Sequence, residues 1–415
     1  MKKQTKLVAV LSTAALLAIG ASMTSFAATG WAEEDGTWVY YDRNGDKVTD
    51  KWAKSGNNWY YLDSNGEMAV DQLIEDGDNY YYVDINGVMA SNQWVAIDNE
   101  DAGEDDEPEH YWYYFQANGK ALKQGDSDKV SLKTVNGKKY AFDDEGKMLY
   151  GWVDENSAER IDNTDGDAFK EATYYFGGED DGAMTTGWLL MDITYDEATN
   201  DYEIAPAFNE DEDQSRWFYF KSNGKKLYAD NGERTKDKTI NGKKYAFDEY
   251  GAMVAEWSLD EDDEKKASDT EAQEAASTAS TSEAWEGNGK YAKYTQAWKY
   301  YNSVEDGSRV SKGWFKVVPA EMLNKEKYDD DEESWYYADG SGNLYAGEFK
   351  TIKGKKYAFR NDGRMLTGLK FIKEGDEDFA DVKADDDDPN FDTEDDFINH
   401  AISFYLKNNY ECYYF

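Results

Sequence analysis

A block of about 21 residues recurs along the chain, and this period limits the possible fold more than any other feature. Its plainest copy, Lys51 to Val70, reads Trp52, a short polar stretch, Trp59-Tyr60-Tyr61-Leu62-Asp63, a turn at Asn65-Gly66, and Met68. The turn glycines Gly45, Gly66 and Gly87 stand 21 residues apart. A stacked array has no size limit set by one core, so 415 residues need not divide into two or three globular domains. Function is then to be sought in what the copies vary rather than in a single catalytic pocket.

Counting back seven residues from each turn glycine aligns the copies without gaps. Trp38-Val39-Tyr40-Tyr41 precedes Gly45, Tyr80-Tyr81-Tyr82-Val83 precedes Gly87, and Trp112-Tyr113-Tyr114-Phe115 precedes Gly119. Trp217-Phe218-Tyr219-Phe220 and Trp335-Tyr336-Tyr337-Ala338 precede Gly224 and Gly342. Aromatic runs that end in such turns predict β-hairpins. Aromatics are 16% of residues and hydrophobics 40%, so rings supply much of the apolar surface, which suits strands better than helical bundles. Six methionines (Met68, Met89, Met148, Met184, Met253 and Met365) follow a turn glycine by two residues. A flexible apolar side chain at a fixed position predicts packing between stacked hairpins. Each hairpin must lean on its neighbours, because one alone is marginal in water. The predicted fold is all-β, a solenoid of stacked hairpins with acidic loop insertions.

Successive strand residues point to opposite faces, so Trp59 and Tyr61 share one face and Tyr60 and Leu62 the other. In Lys139-Tyr140-Ala141-Phe142, Lys244-Tyr245-Ala246-Phe247 and Lys356-Tyr357-Ala358-Phe359, the Tyr60 and Leu62 positions keep aromatic rings. The Trp59 and Tyr61 positions become Lys and Ala. One reading makes the retained face the packing face and the variable face a ligand surface. The other has both faces packing, with the Lys-Ala copies at bends. These three copies lie 105 and 112 residues apart, so a longer period overlies the first.

Long acidic insertions fall between the leading Trp and the aromatic run, at 98–109, 154–172, 192–215 and 319–334. The sequence divides into a segment 1–27, repeats over 28–125, repeats with long insertions over 126–259, an acidic Ala/Ser/Thr linker over 260–284, and repeats over 285–415. Cys412-Tyr413-Tyr414-Phe415 aligns with Thr173-Tyr174-Tyr175-Phe176, without the turn and return segment that follow other copies. The chain is therefore expected to be a fragment that stops mid-hairpin and leaves an open edge.

Met1 to Ala27 has a basic start, an apolar run from Leu7 to Ile19, and Ser25-Phe26-Ala27 as a small-x-small cleavage site. It reads as a secretory signal peptide, too short to span a bilayer. The expected location is outside the cell, with no membrane insertion after signal removal. Net charge is −42. Such a surface excludes nucleic acid and anionic lipid as partners and favours cations or neutral polymers. The same charge would also keep an aromatic-rich exported protein in solution. Cys412 is the single cysteine, so no disulfide framework exists.

Little else carries chemistry. His110 and His400 are the two histidines, each in an acidic segment, and a triad or histidine zinc site is not expected. His110 is expected to be exposed beside Tyr111. Asp42, Asp63 and Asp84 read as turn residues. The run Asp162 to Asp167 invites a calcium reading, but Ile161 stands where that loop needs an oxygen ligand. No catalytic residue, metal site or cofactor is expected.

The patterns Gly30-Trp31, Gly36-x-Trp38-x-Tyr40, Asn44-Gly45 and Trp52, Gly56, Trp59-Tyr60-Tyr61, Asn65-Gly66-x-Met68 resemble the choline-binding or cell-wall-binding repeat family. Thr239 to Phe247 and Thr351 to Phe359 look like the related repeats of clostridial toxins and glucan-binding glucosyltransferases. The resemblance implies a hairpin solenoid on a Gram-positive surface, where two Trp and a Tyr from adjacent hairpins cage a quaternary ammonium. Carried over, the ligand-binding candidates are Trp31, Trp38, Trp52, Trp59, Tyr61, Trp94, Trp112 and Tyr114. Leu73 and Tyr80 depart from the pattern by replacing the two Trp of the third copy, and Lys139, Lys244 and Lys356 would repel a cation. The implied function is a secreted, non-catalytic protein held without covalent bonds to a cell-wall polymer, choline-bearing teichoic acid or polysaccharide. An adhesin or toxin-like carbohydrate array is an alternative, as is the targeting region of a truncated hydrolase or glucosyltransferase.

Overall fold

The protein's structure, a computed structural model, describes residues 29–103, 107–164, 166–193, 214–230, 236–259, 291–321, 323–375, 379–383 and 405–415. The expected signal segment 1–27, the stretch 260–284 and His400 lie outside these residues. One compact unit takes Met1–Val95 and Tyr114–Leu122, and a second takes Ala96–Tyr113 and Lys123–Phe415.

The strands pair in sequence order as antiparallel hairpins. The first unit holds β1 Gly30–Glu34 with β2 Thr37–Tyr41, β3 Lys51–Ser55 with β4 Asn58–Leu62, and β5 Gln72–Asp76 with β6 Asn79–Val83. The unit boundary runs through the hairpin of β7 Gln93–Asp98 and β8 His110–Phe115. The second unit continues with β9 Lys133–Val135 and β10 Lys138–Tyr140, β11 Gly151–Val153 and β12 Tyr174–Phe176, and β13 Gly187–Ile193 and β14 Gln214–Phe220. Next come β15 Lys236–Ile240 with β16 Lys243–Phe247, β17 Glu256–Leu259 with β18 Trp298–Tyr301, β19 Gly313–Val317 with β20 Ser334–Ala338, and β21 Glu348–Ile352 with β22 Lys355–Phe359. The last sheet has three strands, with β23 Leu369–Glu374 between β24 Phe379–Lys383 and β25 Glu411–Tyr414.

The tight turns follow from the sequence chemistry. The carboxylate of Asp63 accepts the amides of Asn65 and Glu67 at 2.8 Å each, and Asp84 repeats this with Asn86 and Val88. Gly66, at φ 75°, supplies the left-handed backbone that closes the turn. The aspartates are thus turn residues, as their spacing suggested.

Consecutive hairpins are tied by one recurring backbone bond. The amide at the methionine position donates to the carbonyl of the Trp59-type position one hairpin earlier. In the first unit Met68 donates to Trp38 at 2.7 Å and Met89 to Trp59 at 2.9 Å. In the second, Met148 reaches Trp112 at 2.7 Å, and Met253 and Met365 reach Trp217 and Trp335 at 2.8 Å. The methionine side chain lies under the next turn glycine, so that a Cβ on Gly87 would stand 2.9 Å from the Met68 sulfur. A fixed period therefore gives a fixed stack. The fourth strand position lines the core, and Leu62, Phe115, Phe142, Phe220, Phe247 and Phe359 are all buried.

Two expectations are corrected. The stretch 260–284 was expected to be a linker, but the strands on either side of it pair, Glu256 with Tyr301 and Leu259 with Trp298. It therefore begins and ends inside one hairpin, at the same place as the other insertions. The terminal strand is not left unpaired, since Tyr414 faces Leu369 and the Phe415 amide donates to Gly368 at 2.9 Å. Among the described residues two short α-helices, α1 Tyr291–Ala297 and α2 Lys325–Asp329, stand within hairpin insertions of this all-β array.

Candidate functional site

The ladder register decides which rings share a face. Trp52 stands opposite Tyr61 and Lys54 opposite Trp59, while Ala53 stands opposite Tyr60. Opposed residues of an antiparallel pair point the same way, so Trp52, Trp59 and Tyr61 share one face, as alternation predicted. That face does not stand apart from the packing. The Trp52 ring lies 5.1 Å from Tyr61 of its own hairpin and 5.0 Å from Tyr81 of the next, whose side chain comes from the opposite face. Trp31 repeats this at 5.2 Å from both Tyr40 and Tyr60. The idea of one packing face and one free face therefore fails in its simple form: Trp31 and Trp52 are each wedged between two tyrosines, and both faces join the stack. What remains open is the outer edge, where Trp59 is 40% exposed.

The recurring module is a leading aromatic residue, a tyrosine beside it, an aromatic residue from the next hairpin, and an outer residue at the Trp59 position. Among the candidates, Trp31, Trp52 and Tyr61 are in such contacts, and Trp94 lies 5.2 Å from Tyr114. Trp38 and Trp59 occupy the outer position, and Lys54 places its ammonium 5.6 Å from the centre of the Trp59 ring. Trp112, also an outer residue, donates its indole N–H to Asp180 at 3.1 Å. His110 is half-buried rather than exposed, with its ring 5.5 Å from Trp112 and its Nε2 3.1 Å from the same Asp180.

The modules of the second unit that were not among the candidates include those of Trp188 and Trp314. Trp188 has Trp217 at 6.1 Å, Tyr219 at 5.1 Å and Tyr245 at 4.9 Å. Trp314 has Trp335 at 6.4 Å, Tyr337 at 5.0 Å and Tyr357 at 4.8 Å, and Trp335 is 43% exposed. Each immediately precedes a Lys-Tyr-Ala-Phe hairpin, which contributes its tyrosine. The signal was present in the aromatic runs of Trp217 and Trp335, but the long insertions separate each from its leading Trp.

Electrostatics favour neutral phenols and a cationic visitor. Burial, then Asp50, Asp76 and Asp63, raises the Tyr61 phenol, and burial with Asp76 raises that of Tyr81. Both remain protonated and present uncharged, electron-rich faces. Asp76, which accepts the Trp52 indole N–H at 3.1 Å, adds negative charge beside the cage. Ring faces with nearby carboxylates attract ammonium groups, worth about 0.5–2 kcal/mol per cation–ring contact. Among the described residues no three His, Cys, Asp or Glu side chains converge as metal ligands. Asp162 instead accepts the amide and hydroxyl of Thr164. Nor is any helix among them long and apolar enough to cross a membrane.

Known proteins contain repeats of this kind. The family described as choline-binding repeat matches residues 28–72 and 48–94, and that described as putative cell wall binding repeat matches 212–226. Glucosyltransferase-S of Streptococcus mutans is 27% identical over 390 residues, 84% of this chain; the chain spans 22% of the length of that relative. Among solved structures, the modular autolysin LytC of Streptococcus pneumoniae matches at 18% identity over 83% of this chain and 54% of its own, with a TM-score of 0.38. Choline binding protein F of Streptococcus pneumoniae matches at 18% identity over 85% of this chain and 92% of its own, with a TM-score of 0.35. Residues 28–94 and 212–226 are thus choline-binding and cell-wall-binding repeats, set in an array of hairpins that share their module.

Proposed function

We propose that the array is an exported, non-catalytic anchor that holds a Gram-positive cell-wall polymer by seating its ammonium groups in the aromatic modules. The observation that carries this reading is the recurrence of one geometry, a leading Trp about 5 Å from two tyrosines of consecutive hairpins, at Trp31, Trp52, Trp188 and Trp314. The outer residues Trp38, Trp59, Trp217 and Trp335 would form the third wall, and Trp94 with Trp112 and Tyr114 would supply further rings. A net charge of −42 favours a cationic over an anionic group on the polymer.

A second reading is favoured by the similarity to Glucosyltransferase-S along 84% of this chain. In it the same rings stack on sugar faces of a glucan. The two readings differ in their competitor. The array is expected to stay on choline-substituted resin and on purified walls, and to leave both with free choline. Retention on walls that free choline does not reverse, but soluble glucan does, would favour the second reading and reject the first.

A further inference from the structure

The Phe349 hairpin carries the module in altered form. Phe349 takes the leading position, opposite Ala358, and Tyr413 of the next hairpin lies 4.8 Å from it. Phe379 adds a third ring at 5.0 Å. The outer position, held by Trp335 one hairpin earlier, is Lys356. Its ammonium stands 4.0 Å from the centre of the Phe349 ring and 5.3 Å from that of Tyr413. With Ala358 in place of a tyrosine, no ring projects beside Phe349 from its own second strand, and the Lys356 ammonium lies on the Phe349 ring.

The other two Lys-Tyr-Ala-Phe hairpins show why this one is special. In the second, the leading position opposite Ala246 is Asp237, which offers no ring. In the first, continuing the β9–β10 register puts Leu132 there. Of the three copies, the Phe349 hairpin alone keeps an aromatic leading residue, and in it the lysine ammonium sits on the ring.

We propose that Lys356 is a tethered ligand: its ammonium occupies a latent site for small organic ammonium ions formed by Phe349 and Tyr413. The inference deepens the ammonium reading given above and rests on it. A chain-borne cation at very high effective concentration outcompetes a free one. The hairpin is therefore closed to ligand as long as Lys356 is present, and its cation joins β22 to the terminal strand instead. Sequence alone suggests that lysine repels ligand from such a hairpin; the geometry has it standing in for ligand.

Two measurements test this. In the wild-type protein the Lys356 Cε protons are expected upfield of those of Lys355, whose side chain points to the opposite face, because the ring currents of Phe349 and Tyr413 shield them. In calorimetric titration with tetramethylammonium, Lys356→Ala is expected to bind one more equivalent than the wild type, and Phe349→Ala in that background to lose it. Lys356 protons at the Lys355 position, or equal stoichiometry in wild type and Lys356→Ala, overturns the inference. If the wild type binds no tetramethylammonium while Lys356→Ala gains one equivalent, the proposed function falls and this inference stands.

Discussion

The modules at Trp257 and Trp314 occupy consecutive hairpins, have nearly the same internal geometry, and end in opposite environments. Trp257 lies 5.1 Å from both Tyr300 and Tyr336, and Trp314 lies 5.0 and 4.8 Å from Tyr337 and Tyr357. Yet Trp257 is 6% exposed, its indole N–H is bonded to the Val318 carbonyl at 2.7 Å, and its outer residue Trp298 is buried. At Trp314 the outer residue Trp335 is exposed. The difference lies in the insertions. Tyr294 of α1 and Ala320 and Leu323 from the 319–334 insertion join Trp257, Trp298, Phe315 and Tyr336 in one apolar cluster. The same aromatic module is thus a structural joint where an insertion covers it and a surface where none does.

The largest effect is expected from breaking the joint. Trp257→Ala should cost about 3–5 kcal/mol, read by denaturant unfolding. Trp335→Ala should cost under about 1 kcal/mol yet weaken retention on choline resin. Similar stability losses for the two variants would erase the distinction between them.

A third module, at Trp152, sharpens the comparison because a lysine closes it from within. Lys226 replaces methionine at its position, is 1% exposed, donates to the Phe169 carbonyl, and lies 5.6 Å from the Trp152 ring centre. Burial, against a smaller opposing pull from Asp248, lowers its pKa from 10.5 to about 7. Between these values the unfolded chain binds more protons than the folded one, so this residue's contribution to stability rises from pH 7 toward pH 10.5 and is lost as pH falls. Lys226→Met should add about 1–4 kcal/mol near pH 7 and flatten that slope, as seen in paired unfolding curves across the range.

The insertion itself can be loosened. Asn324, buried at the start of α2, donates to the carboxylate of buried Asp362 at 3.0 Å. Burial acts to raise the pKa of Asp362, but Arg364 and Arg360 outweigh it and hold the carboxyl below its usual range. Asn324→Ala should cost about 1.5–3 kcal/mol and make Trp257 accessible to an aqueous fluorescence quencher. The smallest effect is expected at Lys244, an exposed outer residue with no leading ring behind it. Lys244→Ala should leave wall retention unchanged, whereas Trp52→Ala or Trp59→Ala should reduce it.

Much of the array was legible in the sequence because its causes are local. The turn aspartates, the left-handed glycines, the methionine position and the sharing of a face by Trp52, Trp59 and Tyr61 all follow from spacing. What escaped depends on contacts between repeats. Tyr60 and Tyr81 were assigned to packing by alternation, yet each also walls the module of the preceding hairpin. The hairpin ending in Trp298-Lys299-Tyr300-Tyr301 was hidden because Lys299 is buried where an aromatic residue is usual, with its pKa pushed down by burial to about 8. The pairing of β17 with β18 across 260–284 could not be seen, since a long acidic insertion and a linker have the same composition.

The most direct test follows the tryptophan indole N–H resonances of the intact protein during choline titration. The account predicts that signals of Trp59, Trp217 and Trp335 shift with saturation while those of Trp257 and Trp298 stay fixed. Equal shifts across both groups, or movement confined to the buried pair, would contradict it.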